Sequence, residues 1–353
     1  MIKMVKKLFK TLGILVGGTI FLLLSFILFT MVTDYKPDDI VSLDVDQGSY
    51  DATLEKGLPY SIISFNTGYG GLGANQDFFM DGGSGSGAET LAESQNNTNA
   101  ISDYLKASNA DFVLLQEVDI NSKRSQYVNQ YNHYLTNYNR TFALNYKNSF
   151  VPVPLSSPMG KVESGLVTAS KAKPKSADRY VFKGEENFIV QLFELDRNFT
   201  ISRYPINDSE LVIINAHFSA YDEGGNIRRQ QLNQMVAILN QEYNAGHYVI
   251  LGGDFNHELP GADSSLFTYT QTYPDWIQTL PADFTPNTYT WAIDPATPTV
   301  RDLIKPYVAG ENFVAVIDGF LVSNNIQVIE VKTTNLDFEN SDHNPVVLQF
   351  ILK

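Results

Sequence analysis

Cysteine is absent from the 353 residues, so no disulfide framework, thiolate metal site or cysteine nucleophile is available. Any metal must be held by oxygen or imidazole. Freedom from cysteine suits an exported bacterial surface protein whose folding does not depend on oxidation, and equally a reducing cytosol, so the compartment must be read elsewhere. No internal repeat of fixed period occurs. Positive charge is also scarce: 25 Lys and Arg stand against 39 Asp and Glu, a formal net charge of −14. Residues 1–32 hold four lysines and no acid, which leaves 21 basic against 39 acidic side chains and a net charge of −18 for the rest. Such a body has no global field for a polyanion, although a local cationic site or a metal can offset a distant acidic surface.

What is present begins with an uncharged run. Lys3, Lys6, Lys7 and Lys10 precede residues 11–32, which carry no charge before Asp34. At about 1.5 Å per residue this run is long enough to cross a hydrocarbon core. The positive-inside rule puts the lysines in the cytoplasm and everything after Thr33 outside. A cleaved signal peptide is the alternative, but the run is longer than a usual apolar region of that kind and no Ala-x-Ala exit follows. The expected organisation is a basic cytoplasmic tail over 1–10, a transmembrane helix over 11–32, a linker over 33–58 and one large domain over 59–353. The linker is polar, acidic and aperiodic, and as a free coil would reach roughly 30 Å.

From Tyr60 onward, short apolar runs alternate with helical patterns, which predicts an α/β fold with buried strands. The runs cover 62–65, 112–115, 211–214, 248–251, 314–317 and 346–351. Leu232, Val236, Leu239 and Tyr243 recur at helical spacing and predict an amphipathic helix over 226–244. A second is expected over 90–107, with Leu91, Ile101, Tyr104 and Leu105 inward. The glycine-rich segment 68–87, carrying Phe78, Phe79 and Met80, is too long for a routine connection and reads as a substrate loop or as disorder. Lys161, Lys171, Lys173, Lys175, Arg179 and Lys183 concentrate basic charge in one stretch, which either attracts phosphate or is a solvated face; the solvated face is the favoured reading.

The chemistry lies in what ends the apolar runs: Asn66; Glu117; Asn215 and His217; Asp254 and Asn256; Asp318. One such ending is a turn or a cap. Five at one sheet edge make a site, because strands of α/β sheets deliver ligand-binding side chains to a crevice. In Gly252-Gly253-Asp254-Phe255-Asn256, alternation puts Asp254 and Asn256 on one side. A carboxylate there can activate water, and a carboxamide can donate to a phosphate oxygen without adding charge; taken alone, the motif is as often a structural turn. Ser341-Asp342-His343 precedes the last strand, and since neighbouring side chains diverge, Asp342 and His343 are expected to do different jobs. Asp318, inside an apolar strand, needs a partner to be buried. His343 is that partner in our reading, with a salt bridge elsewhere or an exposed edge as the alternative. Glu117 and Asn66 supply hard oxygen, and Glu117 with Asp342 matches the one or two carboxylates that usually hold Mg2+.

These residues, as Ser64-Phe65-Asn66, Leu115-Gln116-Glu117-Val118, Asn215-Ala216-His217, Gly253-Asp254-Phe255-Asn256, Ile317-Asp318 and Ser341-Asp342-His343, resemble the ordered motifs of the endonuclease/exonuclease/phosphatase superfamily over about residues 60–352. The resemblance implies two packed mixed β-sheets flanked by helices, a four-layer α/β sandwich, and a metal-dependent phosphoric ester hydrolase. It implies Mg2+, with Mn2+ or Ca2+ as alternatives, at Glu117, Asn66 and Asp342. Asp254 then activates water; Asn256, His217 and His343 stabilise the phosphorane; Asp318 orients His343. Residues 217–222 with Arg228 and Gln231 are similar to bacterial sphingomyelinases, which leans toward a lipid or small phosphate ester. Asp318 is followed by Gly319, where abasic-site and pancreatic-type deoxyribonucleases carry Tyr or Arg. Asn215, Arg124, Arg197 and Tyr204 are the candidates for further substrate contacts. An extracellular nuclease is the alternative function, and an inert binding module would require the loss of a core residue, none of which is missing.

Overall fold

Alternation along the apolar runs builds the layers. In the computed structural model, which describes residues 2–184, 187–220, 222 and 225–353, strands β1–β15 and helices α1–α4 are numbered in chain order. One sheet has the order β1 (Ile40–Ser42), β6 (Ser176–Val181), β7 (Asn198–Ile206), β8 (Ser209–His217), β9 (Tyr248–Asp254), β13 (Asp318–Ser323), β10 (Tyr289–Ala292). The other runs β14 (Ile326–Thr333), β15 (Val346–Leu352), β2 (Pro59–Asn66), β3 (Phe112–Asp119), β5 (Gly160–Ser170), β4 (Asn139–Val151). A short ribbon of β11 (Val300–Arg301) and β12 (Val314–Ala315) stands apart.

Ile62, Phe112, Leu114, Leu211, Ile213 and Ile250 meet between the two sheets. Their neighbours point the other way. Val212, Ile214, Val249 and Leu251 take up Leu232, Met235 and Leu239 of α4 (Asn226–Asn244). Ile63, Phe65, Val113 and Leu115 take up Ile101 and Leu105 of α2 (Leu91–Ser108). The expected sandwich of four layers is therefore what forms, with every strand of the central pairs buried on both faces. Leu91 departs from its expected inward position: it opens α2 just after the Thr90 cap and is exposed.

Two segments differ from the sequence reading. Helix α1 is continuous over Ile2–Thr33, so the basic tail and the apolar run are one rod, long and apolar enough to cross a membrane. Residues 33–58 are no free coil. Ile40–Ser42 adds β1 to the sheet edge beside β6, Asp46 bridges to Arg140, Ala52 bridges to Ala172, and Tyr50 packs edge-on against Tyr138 at 5.0 Å. Backbone pairing and aromatic contacts replace the expected 30 Å of slack with a strap along the domain.

Candidate active site

Strands β2 and β3 run parallel, as do β8 and β9, so their C-terminal ends share one edge of the sandwich. Asn66, His217 and Asp254 close their strands there, and Glu117 lies two residues before the end of β3. Strand β13 runs antiparallel and begins at that edge, with Asp318 in register with Asp254. Alternation would place Glu117 on the outer face with Val113 and Leu115. A register break between Leu115 and Val118, with Glu117 at φ 57°, turns it into the cleft instead. Such a left-handed non-glycine residue at a bulge is strain held by its surroundings. Close approach also fixes two glycines: a Cβ on Gly253 (φ 146°) would lie 1.9 Å from the Ala216 carbonyl oxygen, and one on Gly68 (φ 49°) would lie 2.5 Å from the Asp342 carboxylate.

Asp254 is held from both sides, since Asn66 Nδ2 donates to its Oδ2 at 3.0 Å and the Asn256 backbone N–H donates to its Oδ1 at 2.8 Å. Burial, and then the nearby Asp318, push its pKa above the ordinary carboxylate range. His217 Nε2 stands 3.5 Å and His343 Nε2 3.8 Å from Asp254 Oδ2. Asp318 Oδ2 and His343 Nδ1 pair at 2.8 Å, as the sequence suggested. Burial alone would depress His343, but Asp318, Asp342 and Asp254 together lift it to about 10. His217 lies the other way: burial, and then Arg197, hold it well below the ordinary histidine value, so it is neutral. One imidazolium and one imidazole thus flank a single carboxylate. Asn256 Nδ2 donates to the Phe218 carbonyl at 2.7 Å, and the residue lines the cleft.

A divalent cation fits the acids present. Asp342 is raised to about 7, by burial first and with Glu117 adding to the rise. Glu117 is raised as well, by burial, with Arg124 and His343 opposing. A buried carboxylate, Asp342, and a half-buried one, Glu117, that repel each other are a demand for positive charge. Asp254, Asp318 and His343 also present ligand atoms within 4.8 Å of one another. In that trio His343 Nδ1 is already paired with Asp318 at 2.8 Å, which leaves Glu117 and Asp342 as the other acids of the cleft that could hold an ion. Asn66, expected as a ligand, has its Oδ1 accepting the Gly68 N–H at 3.0 Å and acts on Asp254 through Nδ2.

Arg124 and Arg197 line the same cleft. Asp119 grips Arg124 through two hydrogen bonds of 3.1 and 3.0 Å, and the guanidinium lies 3.7 Å over the Tyr69 ring. Arg197 donates to the Phe218 carbonyl at 2.8 Å. Tyr69 was not anticipated. It is buried at φ 41° in the glycine-rich loop, lines the cleft, and its hydroxyl has no hydrogen-bond partner among the described residues. The Gly-Tyr-Gly-Gly spacing after Asn66 was its only sequence signal. That loop is folded, with Phe78 and Phe79 forming part of the cleft wall.

Several expectations need correction. Asn215 does not contact the cleft: it is fully buried between the sheets, accepts from Gln116 Nε2 at 2.8 Å and donates to the Val167 carbonyl at 3.0 Å. Tyr204 is core, its hydroxyl bonded to Ser170 Oγ at 3.0 Å. The basic stretch resolves toward the solvated reading: Lys161, Lys171 and Lys175 pair with Glu163, Asp111 and Glu210, and Arg179 is buried against the Leu144 and Asp196 carbonyls. Tyr221, part of the 217–222 stretch, lies outside the described residues. A wider depression beyond Trp276 holds Arg228 and His257 but none of Glu117, Asp254, Asp318 and Asp342, so the chemistry belongs to the smaller cleft of about 260 Å³.

Comparison with known proteins bears on the family and the fold. A profile described as Endonuclease/Exonuclease/phosphatase family matches residues 63–343. No curated protein sequence matches. Among solved structures, TDP2 from Caenorhabditis elegans aligns at 15% identity and TM-score 0.52, over 84% of this chain and 75% of that one. The endonuclease/exonuclease/phosphatase from Bacteroides vulgatus aligns at 15% identity and TM-score 0.52, over 84% of this chain and all of that one. ANGEL2, a 2′,3′-cyclic phosphatase in complex with adenosine-2′,3′-vanadate, aligns at 13% identity and TM-score 0.53, over 88% and 99%. At such identities the likeness is one of fold.

Proposed function

The chain belongs to the endonuclease/exonuclease/phosphatase family of phosphoester hydrolases, and from that premise we propose that it is a Mg2+-dependent phosphodiesterase held at the outer face of a cell membrane by α1. Mn2+ or Ca2+ are the alternative ions. The observation that carries the reading is convergence: side chains from six separate segments meet at one cleft and supply a base, one cationic and one neutral imidazole, and a carboxylate pair short of positive charge.

Glu117 and Asp342 would hold the ion, which when bound neutralises charge on the phosphate oxygens. Asp254, oriented by Asn66 and Asn256, removes a proton from water as its oxygen bonds to phosphorus and the ester P–O bond breaks; the departing alkoxide takes up a proton from solvent and the protonated Asp254 returns one to it, so the products are a phosphate monoester and an alcohol. The raised pKa of Asp254 suits a base that must accept a proton. The His343 imidazolium, oriented by Asp318, lies where negative charge develops, and His217 and Asn256 supply neutral polar contacts. Arg124, pinned by Asp119, and Arg197 offer guanidinium groups to a phosphate oxygen.

A nucleic-acid substrate would use the same groups, but a body at −18 repels a polyanion. Full-length protein with Mg2+ is therefore expected to release product from sphingomyelin, phosphatidylcholine or a phosphoinositide, or from a small phosphodiester. Plasmid nicking without any of these would overturn the preference for lipid and small esters. No Mg2+-dependent hydrolysis of any ester would overturn the reading itself.

A further inference from the structure

We propose that the catalytic cleft opens into the outer leaflet of the membrane that α1 crosses, and that the loops around its mouth insert there to collect a lipid phosphate ester. The argument starts from depth. Within the apolar run 11–32, Phe26 sits six residues before the outer end, about 9 Å inside it at the helical rise. Phe26 stacks on Phe193 at 5.9 Å and meets Phe150 edge-on at 6.2 Å. Phe26, Ile27 and Thr33 are half-buried and Thr30 is buried, whereas the rest of the run is exposed. A domain that touches the helix at Phe26 cannot float clear of the bilayer, and the strap of residues 40–52 removes the slack that would let it do so.

The two segments that meet Phe26 are chemically suited to that depth. Residues 149–160, at the turn between β4 and β5, and residues 187–193, around the short helix α3 (Phe188–Gln191), carry no charged side chain. They leave Leu155 87%, Phe188 55%, Val153 41%, Phe150 40% and Val190 39% exposed. In water this would be an unexplained apolar patch beside an active site; in the interfacial region it is an anchor. The same segments continue inward as cleft wall, where Val151, Val153, Met159, Phe193 and Leu195 lie alongside Glu117, His217 and Asp254. An apolar track therefore runs from the helix to the catalytic carboxylates. The cleft, at about 260 Å³, has room for a headgroup phosphate while acyl chains stay in the leaflet. Continuity with the chain's own spanning helix identifies the occupant as lipid rather than a second copy.

This inference rests on the hydrolytic reading above, and the test separates the two. The chain's lack of cysteine makes single-site labelling clean. Full-length Leu155→Cys and Ile329→Cys, each carrying an environment-sensitive fluorophore, are reconstituted into phosphatidylcholine/phosphatidylglycerol vesicles with nitroxide-labelled acyl chains. Ile329 is also exposed but lies on β14, at the sheet edge opposite β4. The label at 155 is expected to shift to the blue and lose emission to the nitroxide, and the label at 329 to do neither. Equal behaviour at both positions overturns the docking. In parallel, Leu155→Asp with Phe188→Asp should lower the ratio of lipid to soluble-ester turnover roughly tenfold or more, from the apolar burial lost. An unchanged ratio overturns it as well. Failure of the native chain to cleave any ester with Mg2+, bis(p-nitrophenyl) phosphate included, would instead sink the hydrolytic reading, while the fluorescence still decides the docking.

Discussion

The floor and the rim of the cleft are built on opposite plans. The floor is made of strand ends, and its polar groups are fixed by backbone: Asp254 by the Asn256 N–H, and Asp318 by the register with Asp254 and by Thr299 Oγ1, which accepts its backbone N–H at 3.0 Å. The rim is made of loops carrying apolar side chains, Phe78, Phe79, Met159 and Leu195 among them, held by packing in one cluster. Rigid placement suits bond making, which tolerates little displacement. Adaptable apolar contact suits choice of substrate. Changes to the floor should therefore act on every ester alike, and changes to the rim should discriminate among esters.

The largest expected effect is at the floor. Asp254→Asn should lower kcat by about a hundredfold to ten-thousandfold, the range of a general base, and by the same factor on lipid and on soluble diester, with thermal melting preserved. A loss confined to one substrate would break the distinction between floor and rim. Next, Glu117→Gln should raise the Mg2+ concentration for half-maximal activity by about tenfold, since a charged ligand is exchanged for a neutral one of equal shape. A metal titration on either substrate reads it, and superimposable curves would remove Glu117 from the ion. At the rim, Phe79→Ala should raise KM for a long-chain ester several-fold, from the loss of roughly 2 kcal/mol or less of partial apolar burial, while kcat moves little. Equal KM changes for short and long esters would show that the rim does not select.

The same division governs what could be read from sequence. Strand ends were legible because a four-residue apolar run, its period of two and the polar residue that ends it are local facts. Asn215 shows the limit: it shares a face with His217, and only the position of Gln116 on the opposite sheet decides that it joins the sheets instead of reaching the cleft. Glu117 reaches its place by breaking the alternation, so it was found by residue type and not by period. Tyr69 depends on a left-handed backbone and on Arg124, which depends in turn on Asp119, a chain of contacts that no local window contains. The strap at 33–58 was misread for a related reason: its only strand has three residues, too few to show a period, and its partners are more than 80 positions away.

The smallest expected effect lies where strap and rim meet. Burial, and then Asp34 beyond the end of α1, raise Asp196 to about 7 from an ordinary carboxylate value near 4, with Arg179 opposing. A carboxyl that binds its proton more tightly in the folded state stabilises the fold while protonated. Its contribution is fully present below about pH 4, declines as pH rises toward 7, and is absent above that. At pH 8 the ionised group is therefore a net cost, on the order of 1 kcal/mol once partial solvent access is allowed for. Asp196→Asn should raise Tm by roughly 2 °C at pH 8 and leave it nearly unchanged at pH 4. Melting curves at the two pH values measure the difference. A variant that is destabilised at pH 8 would mean that ionised Asp196 is paired favourably there, and that the junction between helix and rim is held by charge and not by the apolar contacts of Phe26.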